Sequence, residues 1–419
     1  MADIIHSPYP EDITLENAHD LVTPLMRAIY EKRHKHENVS LEKALGRILA
    51  DNVTAKINVP CQDTAAVDGY AFYFDDLDKP LPITGSIKAG HPYQDSAKPG
   101  QAYRIFTGAV MPDGPDTIAM QEYCEFDKEG RVVLPHTIKR GTNYRPAGEN
   151  ISKGEIAIQQ GTVISSADIG LAAAVGCVSL TVQPKLKVAV ISIGDEVVDP
   201  QQTETLKLGE IFDSNRPMLK VMMQNMGHDV IDYGIISDDL DTVTRALIDA
   251  ATNTDIILCS GGSSEGDEDH TKSAILNSGG VIDFWRLALK PGRPMISGRI
   301  NDTPVFGLPG NPVAVFVCTR LFAGPMLDVL QGGDGCLPPK IKIPAGFSKP
   351  HRKGRAEYLR ARLDNDGSGG VHIVINGRPG AGVLSSLTGA DGLVEIPTDY
   401  DDVNIGDELP FLMFREAAL

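Results

Sequence analysis

Along the 419-residue chain the spacing of apolar positions changes character several times. Residues 12–50 carry two helix-period patterns, ITLENAHDLVTPLMRAIY and SLEKALGRILADNV, the second with Ser40 as its cap and Glu42 and Lys43 in its first turn. From about Ala55 the apolar runs shorten to strand length. YAFYF, PLPITGSIKAG, QAYRIFTGAV, TIAMQEYCEF and RVVLPH, punctuated by Gly and Pro, predict a small β-rich module. GENISKGEIAIQQGTVISSADIGLAAAVG then reads as a strand followed by an Ala-rich helix.

Beyond Pro184 the texture alternates. KVAVISIG, HDVIDYGII and DIILCSGG are strands; SNRPMLKVMMQNMG, closed by Gly227, and DDLDTVTRALIDAATN are the helices between them. Such β-α-β-α order predicts a doubly wound sheet with ligands outside the carboxyl ends of its strands. QGGDGCLPP reads as a linker, and KIKIPAG, AEYLRARL, VHIVING, GLVEIP and ELPFLMF predict a small terminal barrel or sandwich. The expected fold class is multidomain α/β plus β. The expected boundaries are a discontinuous N-terminal domain (1–51 and 147–183), an inserted β-rich domain (52–146), an α/β domain (184–332) and a C-terminal β-barrel (337–419).

A formal charge of −17 argues against nonspecific binding to nucleic acid or an anionic membrane, so an anionic small molecule has to be captured by local donors. No basic segment precedes an apolar core at the N-terminus, and no later run reads as long enough to span a bilayer, which makes the cytoplasm the default location. Cys61, Cys124, Cys177, Cys259, Cys318 and Cys336 show no CxxC spacing, against zinc, iron–sulfur and redox motifs.

Candidate chemistry concentrates between Asp255 and Pro312. Two apolar runs, Ile256–Cys259 and Pro304–Phe306, each end in a Gly-rich turn, and Asn311-Pro312 reads as a helix cap followed by proline at the first helical position. Backbone N–H groups converging there favour an oxyanion. Lys290 and Arg293 supply positive charge, and Asp267, Glu268 and Asp269 are candidate metal ligands. SGGSSEGD is not a Walker A loop, because Asp267 follows Gly266 where lysine is required, and GxGxxG is absent. His270 reads as structural, and no Ser-His-Asp arrangement is visible.

DTAAVDGYAF (Asp63–Phe72), RIFTGAVMP, SIGDEV, FDSN, SGGSSEGDEDHTK, KPGRP and GLPGNPVA occur in an order that closely resembles the molybdopterin molybdenumtransferase family, represented by bacterial MoeA and the E domain of gephyrin. The resemblance implies a four-domain subunit with a MogA-like molybdopterin-binding α/β domain, a dimerising N-terminal domain, and a homodimer with a shared cleft. It implies insertion of molybdate into adenylylated molybdopterin, yielding molybdenum cofactor and AMP with help from Mg²⁺. Asp68, Thr107, Glu196, Asp238, Asp269 and Lys290 match the catalytic positions, and Glu196, Asp238 and Asp269 would hold the cation. Lys290 and Arg286 would hold molybdate. Arg293, Arg145 and Arg360, with Gly261, Gly262, Gly266, Gly310 and Asn311 on the turns, would assist binding; Asp213 would serve the nucleotide and Asp195 shape its turn.

Plainer local roles stand beside these. Asp238 is a good helix cap, Asp68-Gly69 a common turn pair, Arg293 a turn holder, and Arg145 and Arg360 partners for surface acids. The chain departs from the family pattern at Ser263 and Glu265, at Asn150, at Ala381 between Gly380 and Gly382, and at Arg286 where lysine is usual. Two further readings are an adenylyltransferase acting on molybdopterin and a non-enzymatic carrier of finished cofactor. Expected partners are a second copy of the chain, a molybdopterin adenylyltransferase and molybdoenzyme-maturation proteins, with no nucleic acid and no membrane.

Overall fold

Strands buried on both faces need apolar side chains on both, and the run Ile256–Ser260 is buried at every position. In the computed structural model, which describes residues 12–33, 35–262, 270–337, 339–365, 367 and 369–414, this strand lies inside a six-stranded sheet. The order is Asp229–Ile236, Lys187–Ile193, Ile256–Ser260, Thr303–Leu308, Ile296–Ile300 and Val281–Phe284. The first four strands are parallel and the last two pair antiparallel. Side chains alternate between two cores: Val188 and Val190 enter one, Ala189, Ile191 and Ile193 the other. The doubly wound fold class expected from the sequence is present.

The chain forms two compact units. One holds the described parts of Met1–His36, Gly46–Ile48 and Gln183–Leu419; the other holds Glu37–Leu45 and Leu49–Val182. In the first unit, helix Leu15–Glu31 is capped by Thr14, which accepts from Asn17 N–H at 3.2 Å. Its stripe of Ala18, Val22, Met26 and Ile29 enters the core that contains Leu321, Phe322 and Met326. The helix thus shares a core with the α/β sheet, and its Tyr30 hydroxyl accepts from Gln183 Nε2 at 2.7 Å.

Pro312–Cys318, a π-helical turn at Thr319–Ala323 and Gly324–Leu330 make a continuous helical stretch. Its 19 residues are long and apolar enough to cross a membrane, which corrects the expectation that no run is; since 89% of it is buried inside the protein, it is a core helix. The same unit ends in a small barrel. Ala356–Asn365 pairs with Val371–Ile375 and Gly392–Ile396, the sheet continues through Glu408–Met413 to Lys340–Pro344, and a bridge from Ala345 to Ile373 closes it.

In the second unit, strands Ile83–Ile87, Ala102–Ile105, Gly69–Phe72 and Thr117–Met120 form a four-stranded sheet with an apolar cluster on each face. A separate cluster gathers Ala44, Leu49 and Val53 with Ile158, Ala172 and Leu180. The helix expected over SLEKALGRILADNV does not form. Glu37–Ser40 is a strand paired with Ser179–Val182, Leu41–Lys43 is one 3-10 turn without a side-chain cap from Ser40, and Gly46 turns the chain at φ 73°. Cross-strand pairing outweighs the local helical preference there.

Candidate functional site

The loops leaving the parallel strands meet at one edge of the sheet. Gly194 N–H donates to Ile236 O at 3.2 Å, and Asp195 Oδ1 accepts from Asp238 N–H at 3.1 Å, so Asp195 shapes this turn and joins two strand ends. Asn215 Nδ2 reaches Ser260 Oγ at 2.8 Å and Gly310 O at 2.7 Å, tying in two more. Gly261 sits at φ 89°, and a Cβ there would lie 2.0 Å from Ile193 O, so no larger residue allows this approach.

Glu196 and Asp238 occupy this edge. Asp238 is not the helix cap: Asp239 takes that place, accepting from Thr242 N–H at 2.9 Å and from its hydroxyl at 2.6 Å. Asp269 and Gly266, together with Ser263, Glu265, Asp267 and Glu268, lie outside the described residues. Among the described residues no three His, Cys, Asp or Glu side chains gather as a metal cluster. Asp213 is buried and both its oxygens are taken by Arg216, from the backbone N–H at 3.1 Å and Nε at 3.0 Å. It anchors the start of helix Asn215–Asn225.

Beside the carboxyl end of strand Thr303–Leu308 opens a cavity of about 510 Å³. Five basic residues line it, Lys290, Arg293, Lys349, Arg355 and Arg360, against one carboxylate, Glu357. Asn311 lines it too; it holds the cap position ahead of Pro312 but makes no side-chain cap bond. Val313 N–H donates to Ala381 O at 3.0 Å, which brings Gly380 and Ala381 to the wall. The KPGRP turn is held close by Gly292, at φ 125°, where a Cβ would meet Cys318 Sγ at 2.5 Å.

Each cation is fixed differently. Lys290 pairs in strand register with Glu357, and its ammonium lies 3.1 Å from Glu357 Oε1. Lys349 approaches Oε2 of the same carboxylate at 2.7 Å. Burial opposes the charge of Glu357, but the bonds from Lys349 and Lys290 outweigh it and hold the carboxyl below the usual glutamate range. Arg293 Nε donates to Asp12 at 2.7 Å, which ties the turn to the segment before helix Leu15–Glu31 while Arg293 lines the cavity wall.

Arg360 is only 3% exposed, and among the described residues it pairs with no surface acid, contrary to the plainer expectation. Its Nε donates to Ser386 Oγ at 2.8 Å and Nη2 to Gly380 O at 3.1 Å, while burial lowers its affinity for the proton. Arg286 does not line the cavity; its carbonyl accepts from Ile13 N–H at 3.0 Å. Lys349, Arg355 and Glu357 were not singled out from sequence. The available signal was the buried strand AEYLRA, in which Glu357 and Arg360 interrupt an otherwise apolar run.

In the second unit Thr107 gives both its N–H and its hydroxyl to Asp68 Oδ1, each at 2.8 Å. These bonds pull the Asp68 carboxyl below the usual aspartate range. The Asp68-Gly69 turn has its own cause: a Cβ on Gly69 would sit 2.0 Å from Ala119 O. Arg145 Nε lies 2.5 Å from Glu149, an exposed ion pair.

Three family profiles match the chain in succession: the MoeA N-terminal region (domain I and II) over 13–176, a probable molybdopterin binding domain over 189–329, and the MoeA C-terminal region (domain IV) over 342–414. A molybdopterin molybdenumtransferase of Haemophilus influenzae is 31% identical over 382 residues, covering 90% of this chain and 94% of its own. Another, from Nostoc sp., is 32% identical over 386 residues, with coverage of 89% and 87%. The crystal structure of a molybdopterin biosynthesis moeA protein from Pyrococcus horikoshii superposes with a TM-score of 0.82 at 26% identity, covering 96% of this chain and all of that one.

Proposed function

The chain belongs to the molybdopterin molybdenumtransferase family, and from that premise we propose that it completes the molybdenum cofactor by inserting molybdate into adenylylated molybdopterin, releasing AMP. One observation carries the reading: a protein of charge −17 assembles five basic side chains around one carboxylate in a single cavity at its sheet edge. Molybdate is a dianion and the adenylylated pterin bears a pyrophosphate, so donors converging on one cavity stabilise both better than scattered surface charges do. Arg360 supplies a planar fork held by neutral acceptors, and Lys290 a point charge with donors to spare.

The acidic edge complements this. Glu196 and Asp238 are hard oxygen donors of the kind Mg²⁺ takes one or two of, alongside substrate phosphate oxygens; a bound ion there would polarise the phosphoanhydride. Asp68, kept ionised by Thr107, is assigned to the same reaction by its match to the family position. We further assign the chain to a cytoplasmic homodimer that receives its pterin from a molybdopterin adenylyltransferase. An adenylyltransferase reading leaves the matched N-terminal and C-terminal regions without a role and is not favoured.

Purified protein supplied with adenylylated molybdopterin should release AMP only when molybdate is added, and faster with Mg²⁺. Formation of adenylylated pterin from molybdopterin and Mg-ATP, with no molybdate-dependent AMP, would refute the assignment.

A further inference from the structure

We infer that Glu357 is a positioning residue: its buried carboxylate clamps Lys290 against the cavity wall, so that the ammonium meets the incoming tetraoxoanion from a fixed place. The inference rests on the function proposed above and deepens it at one residue.

Lys290 has a long flexible stem and a side chain 56% exposed, and left alone it would sample many rotamers. The structure removes that freedom. Strand pairing sets Lys290 opposite Glu357, whose side chain is 6% exposed, and the ammonium settles on Oε1 at 3.1 Å. The carboxylate is secured from its far side by Lys349, 2.7 Å from Oε2. Lys349 is itself anchored through its ammonium to Pro350 O at 3.2 Å and by a backbone bridge to Val403. His351 Nδ1 stands 3.6 Å from the same oxygen, beyond hydrogen-bonding range. An ammonium has three donors; with one spent on Glu357, Lys290 keeps two for an anion.

Two accounts of Glu357 predict opposite signs. If it were only a counter-charge, neutralising it would raise the positive potential of the cavity and tighten anion binding. If it positions Lys290, Glu357→Gln weakens binding, because glutamine has one acceptor oxygen and must turn its NH₂ toward one of the two ammonium groups, donor facing donor.

The test uses the full chain. Molybdate is titrated calorimetrically into wild type and Glu357→Gln, and steady-state rates are measured with adenylylated molybdopterin. Expected is a roughly tenfold weaker molybdate affinity and a matching rise in the KM for molybdate, with kcat at saturating molybdate within about twofold and the KM for the pterin unchanged. Tighter or unchanged molybdate binding overturns the inference, as does a proportional fall in kcat with no selective change in the molybdate KM, the mark of a merely structural role. Should Glu357→Gln not fold, Glu357→Asp keeps the charge but draws the carboxylate back by one methylene, loosening its hold on Lys290. It should raise the molybdate KM about two- to threefold, and no rise counts against the clamp. A wild type that binds no molybdate and releases no AMP defeats the proposed function itself; an active wild type with an unaffected variant defeats only the role of Glu357.

Discussion

Arg216 and Arg360 are both sheltered, in the same unit, yet their surroundings differ in kind. Arg216, with its side chain 11% exposed, is met by Asp199 at 2.6 Å, Asp213 at 3.0 Å and Asp232 at 2.7 Å. Burial opposes its charge, but three carboxylates more than compensate and raise its hold on the proton. Arg360 is met by a hydroxyl and backbone carbonyls, and among the described residues no carboxylate pairs with it. Its charge is left over, and it faces a cavity. The comparison separates two uses of a buried cation: where acids saturate it, it holds the fold; where neutral acceptors hold only its shape, its field is available to a ligand.

The sharpest attack on this contrast is Arg360→Met, which should cut molybdate-dependent AMP release at least about a hundredfold while the protein stays folded. Arg360→Lys should recover little, since an ammonium cannot reproduce the fork that meets Ser386 and Gly380. A near-normal rate in either variant would break the comparison. Arg216→Met should do the reverse, lowering stability by about 2 kcal/mol in denaturant unfolding, with AMP release per folded molecule kept. That figure sits below the usual cost of breaking a buried pair because Asp232 keeps access to water.

Acid sharpens the distinction. Hydrogen bonds from Gln201 and Arg216 hold Asp199 below the usual aspartate range, and Lys220 and Arg216 do so for Asp232 against the effect of burial. Carboxyls with lowered folded values contribute stability that is present above their unfolded pKa and lost as pH falls through the lowered one. The stability gap between wild type and Arg216→Met should therefore hold at neutral pH and close only below about pH 4, as melting curves at several pH values would show. The smallest expected effects divide two neighbours. Asp238→Asn should lower activity with melting unchanged, whereas Asp239→Ala should slightly lower the melting temperature through loss of the Thr242 bonds and leave catalysis intact.

What the sequence disclosed follows from the range of the forces involved. The alternation after Pro184, the Gly-rich strand ends, Lys290 in KPGRP and the Asp68 and Thr107 positions are encoded in local periodicity or short motifs; the sheet forms in the expected class, Lys290 lines the cavity and Thr107 bonds Asp68. Glu357 escaped because only the register between Leu289–Lys290 and Ala356–Asn365 brings it to Lys290, and Lys349 because it reaches Glu357 from a separate segment bridged to Val403; no spacing along the chain announces either. The aspartate that caps Leu240–Asn253 was misassigned by one residue, since Asp238 and Asp239 are equally good caps and the backbone alone decides which turns in. SLEKALGRILADNV misled for a related reason: its helical period is real, but Gly46 turns the chain at φ 73° and Leu49 and Val53 pair with residues far along the chain.

The packing of helix Leu15–Glu31 reaches into the cell's machinery. His19 Nε2 lies 2.7 Å from Leu321 O across 302 residues of sequence, and the stripe it flanks is buried against the last apolar helix. At about 5–20 residues per second, a ribosome takes roughly 15–60 s to supply that partner. For that interval Ala18, Val22, Met26 and Ile29 have nowhere native to go, so nascent chains should be most vulnerable to aggregation, and most dependent on holdase chaperones, before the Pro312–Leu330 segment emerges from the exit tunnel.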